Sequence, residues 1–176
     1  SANIAASEAK KVVDATGMYV TPGLIDLHAH VFWGTEENAY LSNSYSALPP
    51  DGFTFSVGVT TVVDAGEPGW RNFDQFRRQT VNHSKTRVLS FLNIVGAGMK
   101  GGHLEQKPND MDPKMTALVI QQNKDVLIGV KLAHYSGHEW GPAEKATEAG
   151  RIADVPVMID FGGATPHLGL DTLLLK

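Results

Sequence analysis

The sequence predicts an α/β fold built on a parallel sheet. Three observations lead there. Apolar, β-branched runs alternate with stretches of helical period along the chain, the signature of βα units. Its 176 residues suffice for one domain with a sizeable core and are short for two. Hydrophobic residues make up 42% and charged residues 19%, which argues against a disordered chain. Residues 21–176 hold about five strands and four to five helices. That count leaves two architectures open. One is a doubly wound open sheet of five strands; the other is a (βα)8 barrel, about 250 residues when whole, that stops after its fifth strand.

The strands are expected at 24–30, 60–65, 87–95, 128–135 and 156–161, where short apolar runs are bounded by Gly, Pro, Asn and Asp. Helical periodicity falls between them, at 70–82, 113–123 and 142–153, and 167–176 reads as one more helix. The first connection, from Val31 to Val59, is long and rich in Ser, Asn, Pro and Gly, with a short helix expected near 53–57. A connection of that length after a strand points to a functional loop.

Composition narrows the chemistry. Fifteen Lys+Arg against 19 Asp+Glu give a net charge of −4, with no basic cluster, so neither nucleic acid nor an anionic membrane is an expected partner. No apolar run approaches the ~18–20 residues that span a bilayer. The opening SANIAASEAKK lacks the basic-then-apolar order of a secretory signal, so a cytoplasmic location is expected. With no cysteine there is no disulfide, thiolate ligand or thiol nucleophile, and any metal must be held by His, Asp, Glu or a modified Lys.

Two motifs carry chemistry. In TPGLIDLHAH, Pro22-Gly23 turns into a strand whose period of two places Asp26, His28 and His30 on one face and Ile25, Leu27, Ala29 and Val31 on the other. The apolar set is expected to pack under helices. Two imidazoles at i and i+2 near a strand's carboxyl end can grip one cation, whereas a polar face without a shared partner is costly. In IGVKLAHY, Lys131 shares its face with Gly129 and Ala133, and the opposite face carries Ile128, Val130, Leu132 and His134. A buried ammonium there tends to lose its proton, and a neutral amine beside small residues is open to CO₂, giving a carbamate ligand. The plain alternative is a strand-end Lys that snorkels to water or an ion-pair partner.

Other residues divide between chemistry and packing. His103, in GMKGGHLEQ after the third strand, is a candidate for lining a pocket, and Asp64, ending the second strand, could orient a ligand or cap a loop. His134 falls on the face away from Lys131, so packing or loop exposure is expected for it and for His138; His83 reads as a helix-end cap and His167 as an early helix residue without a role. Gly96, Gly98 and Gly101 spell GxGxxG after a strand, the basis of a rival nucleotide-binding reading. That fingerprint needs a helix opening among its glycines and belongs after a first strand; here a mobile loop is expected instead.

DATGMYVTPGLIDLHAH, followed by GVTTVVDAG at 58–66, resembles the amidohydrolase superfamily of metal-dependent hydrolases, in its dihydroorotase-like and amidohydrolase/deacetylase branch. GEPGWRNF at 66–73, RVLSFLNIVGAG and IGVKLAHY are similar to that branch as well, collinearly along the chain. The resemblance implies an incomplete (βα)8 TIM-type barrel of about five βα units over 21–176, with 1–20 as the end of an N-terminal β-sandwich subdomain. It also implies that His28 and His30 are strand-one ligands of one or two divalent ions such as zinc, and that Lys131, commonly carboxylated in this branch, bridges the two where both are bound. Where a strand-five His is usual, VPVMIDFG has Asp160, a departure that either substitutes an oxygen ligand or leaves that position open. The branch's strand-six His and strand-eight general-base Asp have no counterpart here, so the catalytic base is expected beyond the chain end and the piece alone is expected to be inactive.

The implied activity is hydrolysis of an amide C–N bond, cyclic or N-acyl, in a small-molecule substrate. The alternative is a non-catalytic amidohydrolase-like scaffold or binding remnant. A five-strand piece would leave two sheet edges unpaired, to be covered by the rest of the enzyme or a second copy.

Overall fold

In the computed structural model, described over residues 5–160 and 169–175, five parallel strands form a curled half-barrel with helices on its outer side. The strands are β1 (Leu24–Ala29), β3 (Val59–Asp64), β4 (Arg87–Asn93), β5 (Leu127–Ala133) and β6 (Val157–Asp160); a short β2 (Trp33–Glu36) lies outside that sheet. The helices are α1 (Phe73–Gln79), α2 (Pro113–Gln122), α3 (Gly141–Ala153) and α4 (Leu170–Leu175). The sheet order β1-β3-β4-β5-β6 follows the chain without a reversal. A doubly wound sheet needs such a reversal, so the barrel architecture stands and the open-sheet alternative falls.

Local chemistry explains the helices. Asp112 caps α2 by accepting from the N–H groups of Lys114 and Met115, both at 3.0 Å, and Pro113 occupies the first turn. α3 likewise has Pro142 in its first turn and ends at Asp154 in the left-handed region, φ 57°. Phe73 and Phe76 of α1, Ala117 and Ile120 of α2, and Ala143, Ala146 and Ala149 of α3 bury against Val62, Val88, Leu92, Val130 and Leu132. Small alanines bring α3 close to the sheet, as buried strands of alternating face require.

The pairing sorts the strand residues by face. Phe91 pairs with Gly129, Asn93 with Lys131, Lys131 with Met158 and Ala133 with Asp160, so these residues share the concave side. Gly129 is needed there, because a Cβ would overlap the Phe91 ring.

Two expectations for β1 are corrected. Asp26 pairs with Val62 and Ala29 with Asp64, three residues against two, which is a bulge. Val62 and Asp64 lie on one face of β3, so Asp26 leaves the side of His28 and His30; its Oδ1 accepts the His28 N–H at 3.0 Å instead. The apolar face is also only half covered: Ala29 and Val31 are buried, but Ile25 and Leu27 stay 59% and 66% exposed, because β1 is an edge strand.

The long first connection is tied down. Two 3-10 turns, Pro50–Gly52 and Phe55–Val57, replace the expected short helix. The N–H groups of Leu41 and Ser42 donate to the Met99 carbonyl, and the Asn72 amide donates to Ser42 Oγ and the Ala97 carbonyl, both at 3.0 Å. This loop therefore closes over the carboxyl ends of the strands. The described residues before Leu24 hold a single 3-10 turn, Ala6–Glu8, and are mostly exposed. His167 lies outside the described residues. Among those described, no helix is long and apolar enough to cross a membrane.

Candidate functional site

The carboxyl ends of β1, β5 and β6 bring the predicted site residues toward one another. In a flat sheet β1 and β5 would stand three strand spacings apart, about 14 Å. The curl narrows that gap, and His30 lies within the electrostatic reach of both Lys131 and His134. The rings of His28 and His30 meet edge to face with centroids 5.3 Å apart; His28 is exposed and His30 half-buried. Burial first, then His28, Lys131 and His134, hold the His30 imidazole below its usual pKa against the pull of Asp64. A neutral imidazole has a free lone pair, and His30 Nδ1 is buried without a hydrogen-bond partner.

Lys131 is 0% exposed. Its Nζ lies 3.5 Å from both Asp160 Oδ2 and Met158 Sδ. Burial pushes the amine below the ordinary lysine range, and the Asp160 carboxylate opposes that shift. Room for the lysine stem comes from Gly66, at φ 89°, where a Cβ would overlap Lys131 Cβ. A side chain at Gly66 is thus excluded twice, by the backbone and by the lysine.

Asp64 and His103 are placed differently from each other. Asp64 is fully buried: its Oδ1 accepts from Gly66 N at 3.0 Å and Glu67 N at 2.7 Å, and its Oδ2 accepts from Val31 N at 3.1 Å. These bonds cap the turn after β3 and pin the exit of β1. His103 sits exposed on the 3-10 turn Gly102–Leu104. Glu105, two residues later, is the group that enters the site: it is 2% exposed and accepts from His134 Nδ1 at 2.9 Å.

His134 corrects the strand alternation. Its φ of 54° breaks the extended backbone just past β5 and turns its ring out of the packing face, where Val130 and Leu132 lie, to stand 4.0 Å from Asp160 Oδ2. Glu67 was not legible in the sequence at all. It is fully buried beside Asp64, and its Oε2 accepts the Phe32 N–H. Desolvation, then the Asp64 carboxylate, push its carboxyl well above the usual range.

The GxGxxG glycines serve loop packing. No α-helix opens among them: Gly102–Leu104 is a 3-10 turn. Gly98, at φ 73°, approaches the Glu67 carbonyl so closely that a Cβ would overlap it. The nucleotide-binding reading loses its one support.

Beside His134, Tyr40, Gly101, Gln106 and Ser136 line a cleft of about 540 Å³. Among the described residues, no three His, Asp or Glu side chains converge on one point, so a cation here would need Lys131 among its ligands. The unpartnered nitrogen of the His30 imidazole and the buried Lys131–Asp160 pair are the donors that the described residues offer to such a cation.

Residues 11–86 match the profile of the Amidohydrolase family. A deacetylase of Brucella anthropi is 29% identical over 157 residues, 85% of this chain and 37% of that protein. A deacetylase of Enterococcus faecalis is 30% identical over 174 residues, 96% of this chain and 44% of that protein. Among solved structures, an adenine deaminase superposes with a TM-score of 0.74 at 29% identity, covering 89% of this chain and 41% of its own. A dihydroorotase does so at 0.74 and 27%, covering 88% and 41%. The chain therefore spans less than half the length of each.

Proposed function

The chain belongs to the amidohydrolase superfamily, and from that premise we propose that it forms part of a metal-dependent hydrolase that cleaves an amide C–N bond, cyclic or N-acyl, of a small molecule. In this reading the chain is one portion of a longer enzyme, in keeping with the 37–44% of its deacetylase relatives that it spans. The observation that carries the proposal is the unpartnered, buried Nδ1 of His30 on the same concave surface as the fully buried Lys131. Superfamily members are generally metal-dependent.

His28, His30, Lys131 and Asp160 are the residues that would hold one or two divalent ions, zinc by ligand type, with Lys131 as amine or carbamate. When bound, such an ion supplies Lewis acidity that polarises the scissile carbonyl and acidifies a water. The protein's own contribution is positional. Burial keeps His30 neutral and able to donate its lone pair. Asp64 and Glu67 fix the backbone at Val31 and Phe32, so the histidine strand ends at one place. The closed first loop and the cleft beside Tyr40 and Gln106 give a small polar amide its seat and limit the entry of water. The general base that takes the water's proton is assigned to a part of the enzyme outside this chain.

The absence of three converging His, Asp and Glu side chains among the described residues favours one other reading, a non-catalytic scaffold. Metal analysis with an amidase assay separates the two. The proposal expects one or two zinc ions per chain and, in a protein extending through the barrel, hydrolysis of N-acetylated amino acids or of dihydroorotate that fails on chelation. A chain that takes up no divalent ion overturns it.

A further inference from the structure

We propose that Tyr40 sets which amides this chain accepts, and that the cleft it walls takes an uncharged, flat or apolar substituent of the substrate and turns carboxylates away. This inference rests on the amide-hydrolase reading above and narrows its substrate. It assigns a role to the long first connection, which closes over the carboxyl ends of the strands.

The first ground is how Tyr40 is held. Before it in the chain, Glu36 pairs with Lys100; after it, the N–H groups of Leu41 and Ser42 donate to the Met99 carbonyl at 3.2 and 3.0 Å. The backbone on both sides of Tyr40 is thus tied to one short segment, 99–100. Gly101 comes next, at φ 79°, and a Cβ on it would stand 2.7 Å from Tyr40 Cβ. Glycine is required there both by its backbone and by the close approach of the tyrosine. The Tyr40 ring meets the His134 ring edge to face, with centroids 5.9 Å apart and planes at 75°. A side chain placed in this way gives up little further freedom when a ligand arrives.

The second ground is how the polar groups of the wall are used. Glu105, Gln106, His134 and Ser136 line the cleft with Tyr40, and each already has a partner within the wall. Glu105 Oε1 accepts from Gly101 N at 2.7 Å, and its Oε2 is 2.9 Å from His134 Nδ1. Gln106 Oε1 accepts from Ser136 N at 2.8 Å and Ser136 Oγ at 2.9 Å, while its amide donates to the His134 carbonyl at 2.7 Å. Tyr40 is the exception. It is 49% exposed and, among the described residues, its hydroxyl has no hydrogen-bond partner. What the wall leaves for a ligand is therefore an aromatic ring with one hydroxyl at its tip, a surface that suits flat or apolar groups carrying at most one polar atom.

The third ground is charge. Among the described residues no Lys or Arg lines this cleft. Lys100 is turned to Glu36, and Arg71 and Lys107 line a different cleft that shares only Gln106 with this one, where Arg71 already pairs with Asp110. His134 lies between Glu105 and Asp160, so any positive charge on its ring is countered by carboxylates within 4.0 Å. Glu105 is buried, and a ligand carboxylate beside it would meet a like charge where water screens poorly. A substrate carboxylate, where there is one, lies outside this cleft. The volume of about 540 Å³ admits a ring-sized group.

The test is the binding of two probes of one shape, 4-acetamidobenzamide and 4-acetamidobenzoate, to the purified full chain with a chelator present, so that no contact between metal and carboxylate enters. Dissociation constants are read from the ¹H–¹⁵N shifts of the Gly101 and Ser136 amides. The neutral probe is expected to bind about tenfold more tightly than the carboxylate, or better. Tyr40→Ala is expected to weaken the neutral probe about tenfold, and Tyr40→Phe, which keeps the ring, about 2–5-fold. Gly101→Ala displaces the tyrosine and should match Tyr40→Ala; with Tyr40→Phe it serves as the test if Tyr40→Ala does not fold by circular dichroism. Tyr45→Ala, on the same connection but packed on Trp33 away from the cleft, is expected to bind as wild type. The inference is overturned if the two probes bind alike, if the Tyr40 and Gly101 variants bind as wild type, or if the wild-type chain binds neither probe. Zinc uptake, measured separately, decides the reading beneath it. A chain that takes up zinc but fails the probe test keeps the hydrolase reading without this inference. One that passes the probe test but takes up no divalent ion keeps the cleft's selectivity and loses the metal-dependent reading.

Discussion

Lys131 shows how a single residue can be kept at a cost to stability. It is wholly buried, and its Nζ–Asp160 distance of 3.5 Å is long for a charge-assisted bond. Burial lowers its folded pKa below the ordinary 10.5. Between the folded value and 10.5 the unfolded chain therefore holds a proton that the folded chain lacks, and stability rises with pH across that window. Replacing a buried ion-pair member by a matched apolar side chain is often neutral or stabilising, and Asp160 keeps partial solvent exposure as an alternative partner. Urea denaturation of Lys131→Met is expected to give a stability at pH 7 equal to wild type or about 1 kcal/mol higher. The rise in stability as pH climbs toward 10.5 should flatten. The same substitution is expected to abolish zinc uptake, and a variant that unfolds at pH 7 would show that the amine is structural. How much of the site could be read in the sequence differs by residue. His28, His30 and Lys131 were legible because alternation and side-chain type suffice to place them. His134 and Asp26 were not, since a positive φ at a non-glycine and a bulge leave no mark in a two-residue period. Glu105 was passed over for His103 because only the turn at Gly102–Leu104 decides which of the two enters.

At the scale of elements, the sequence located strands better than it located their ends. β5 was expected at 128–135 and runs Leu127–Ala133; the bend at His134 shortens it. The helix expected at 70–82 became α1, Phe73–Gln79, with a 3-10 turn at Val81–His83, because Asn72 is committed to loop contacts before the helix begins. α2 was the best defined, with Asp-Pro at its start and Asn123 just past its end. Its cap also makes it the clearest case for a measured cost. Asp112→Ala removes the acceptor for two backbone N–H groups and is expected to lower stability by about 1 kcal/mol, or about 2–4 °C in Tm for a chain of this size. Asp112→Asn should recover most of it. An unchanged melting curve for the alanine variant would mean that packing of Ala117 and Ile120 alone sets α2. The ties across the first connection were illegible for a different reason: their partners lie 30 or more residues away in the chain, as between Ser42 and Asn72 or Met99.

The whole molecule is asymmetric in what it buries. The outer layer is complete, with α1, α2 and α3 over β3, β4 and β5. The two end strands, β1 and β6, each pair on one side only within the described sheet. On β1, Leu24, Ile25 and Leu27 are 58%, 59% and 66% exposed, three apolar side chains around Asp26 on an open edge. Such an edge offers unpaired backbone donors and acceptors beside apolar side chains and promotes pairing with another strand. The chain on its own is therefore expected to self-associate, with sedimentation velocity showing a concentration-dependent shift from monomer to dimer or larger species. A charge on the edge opposes strand pairing, so Ile25→Lys should move that distribution toward monomer without loss of circular dichroism. Ile152→Lys, on the solvent side of α3, controls for surface charge alone, because Ile152 is 38% exposed away from the edge. If wild type and both variants sediment alike as monomers, the β1 edge is closed by the chain itself. If only Ile25→Lys is monomeric, the edge is an interface, and in a longer enzyme the same run of residues would receive the strand that continues the barrel.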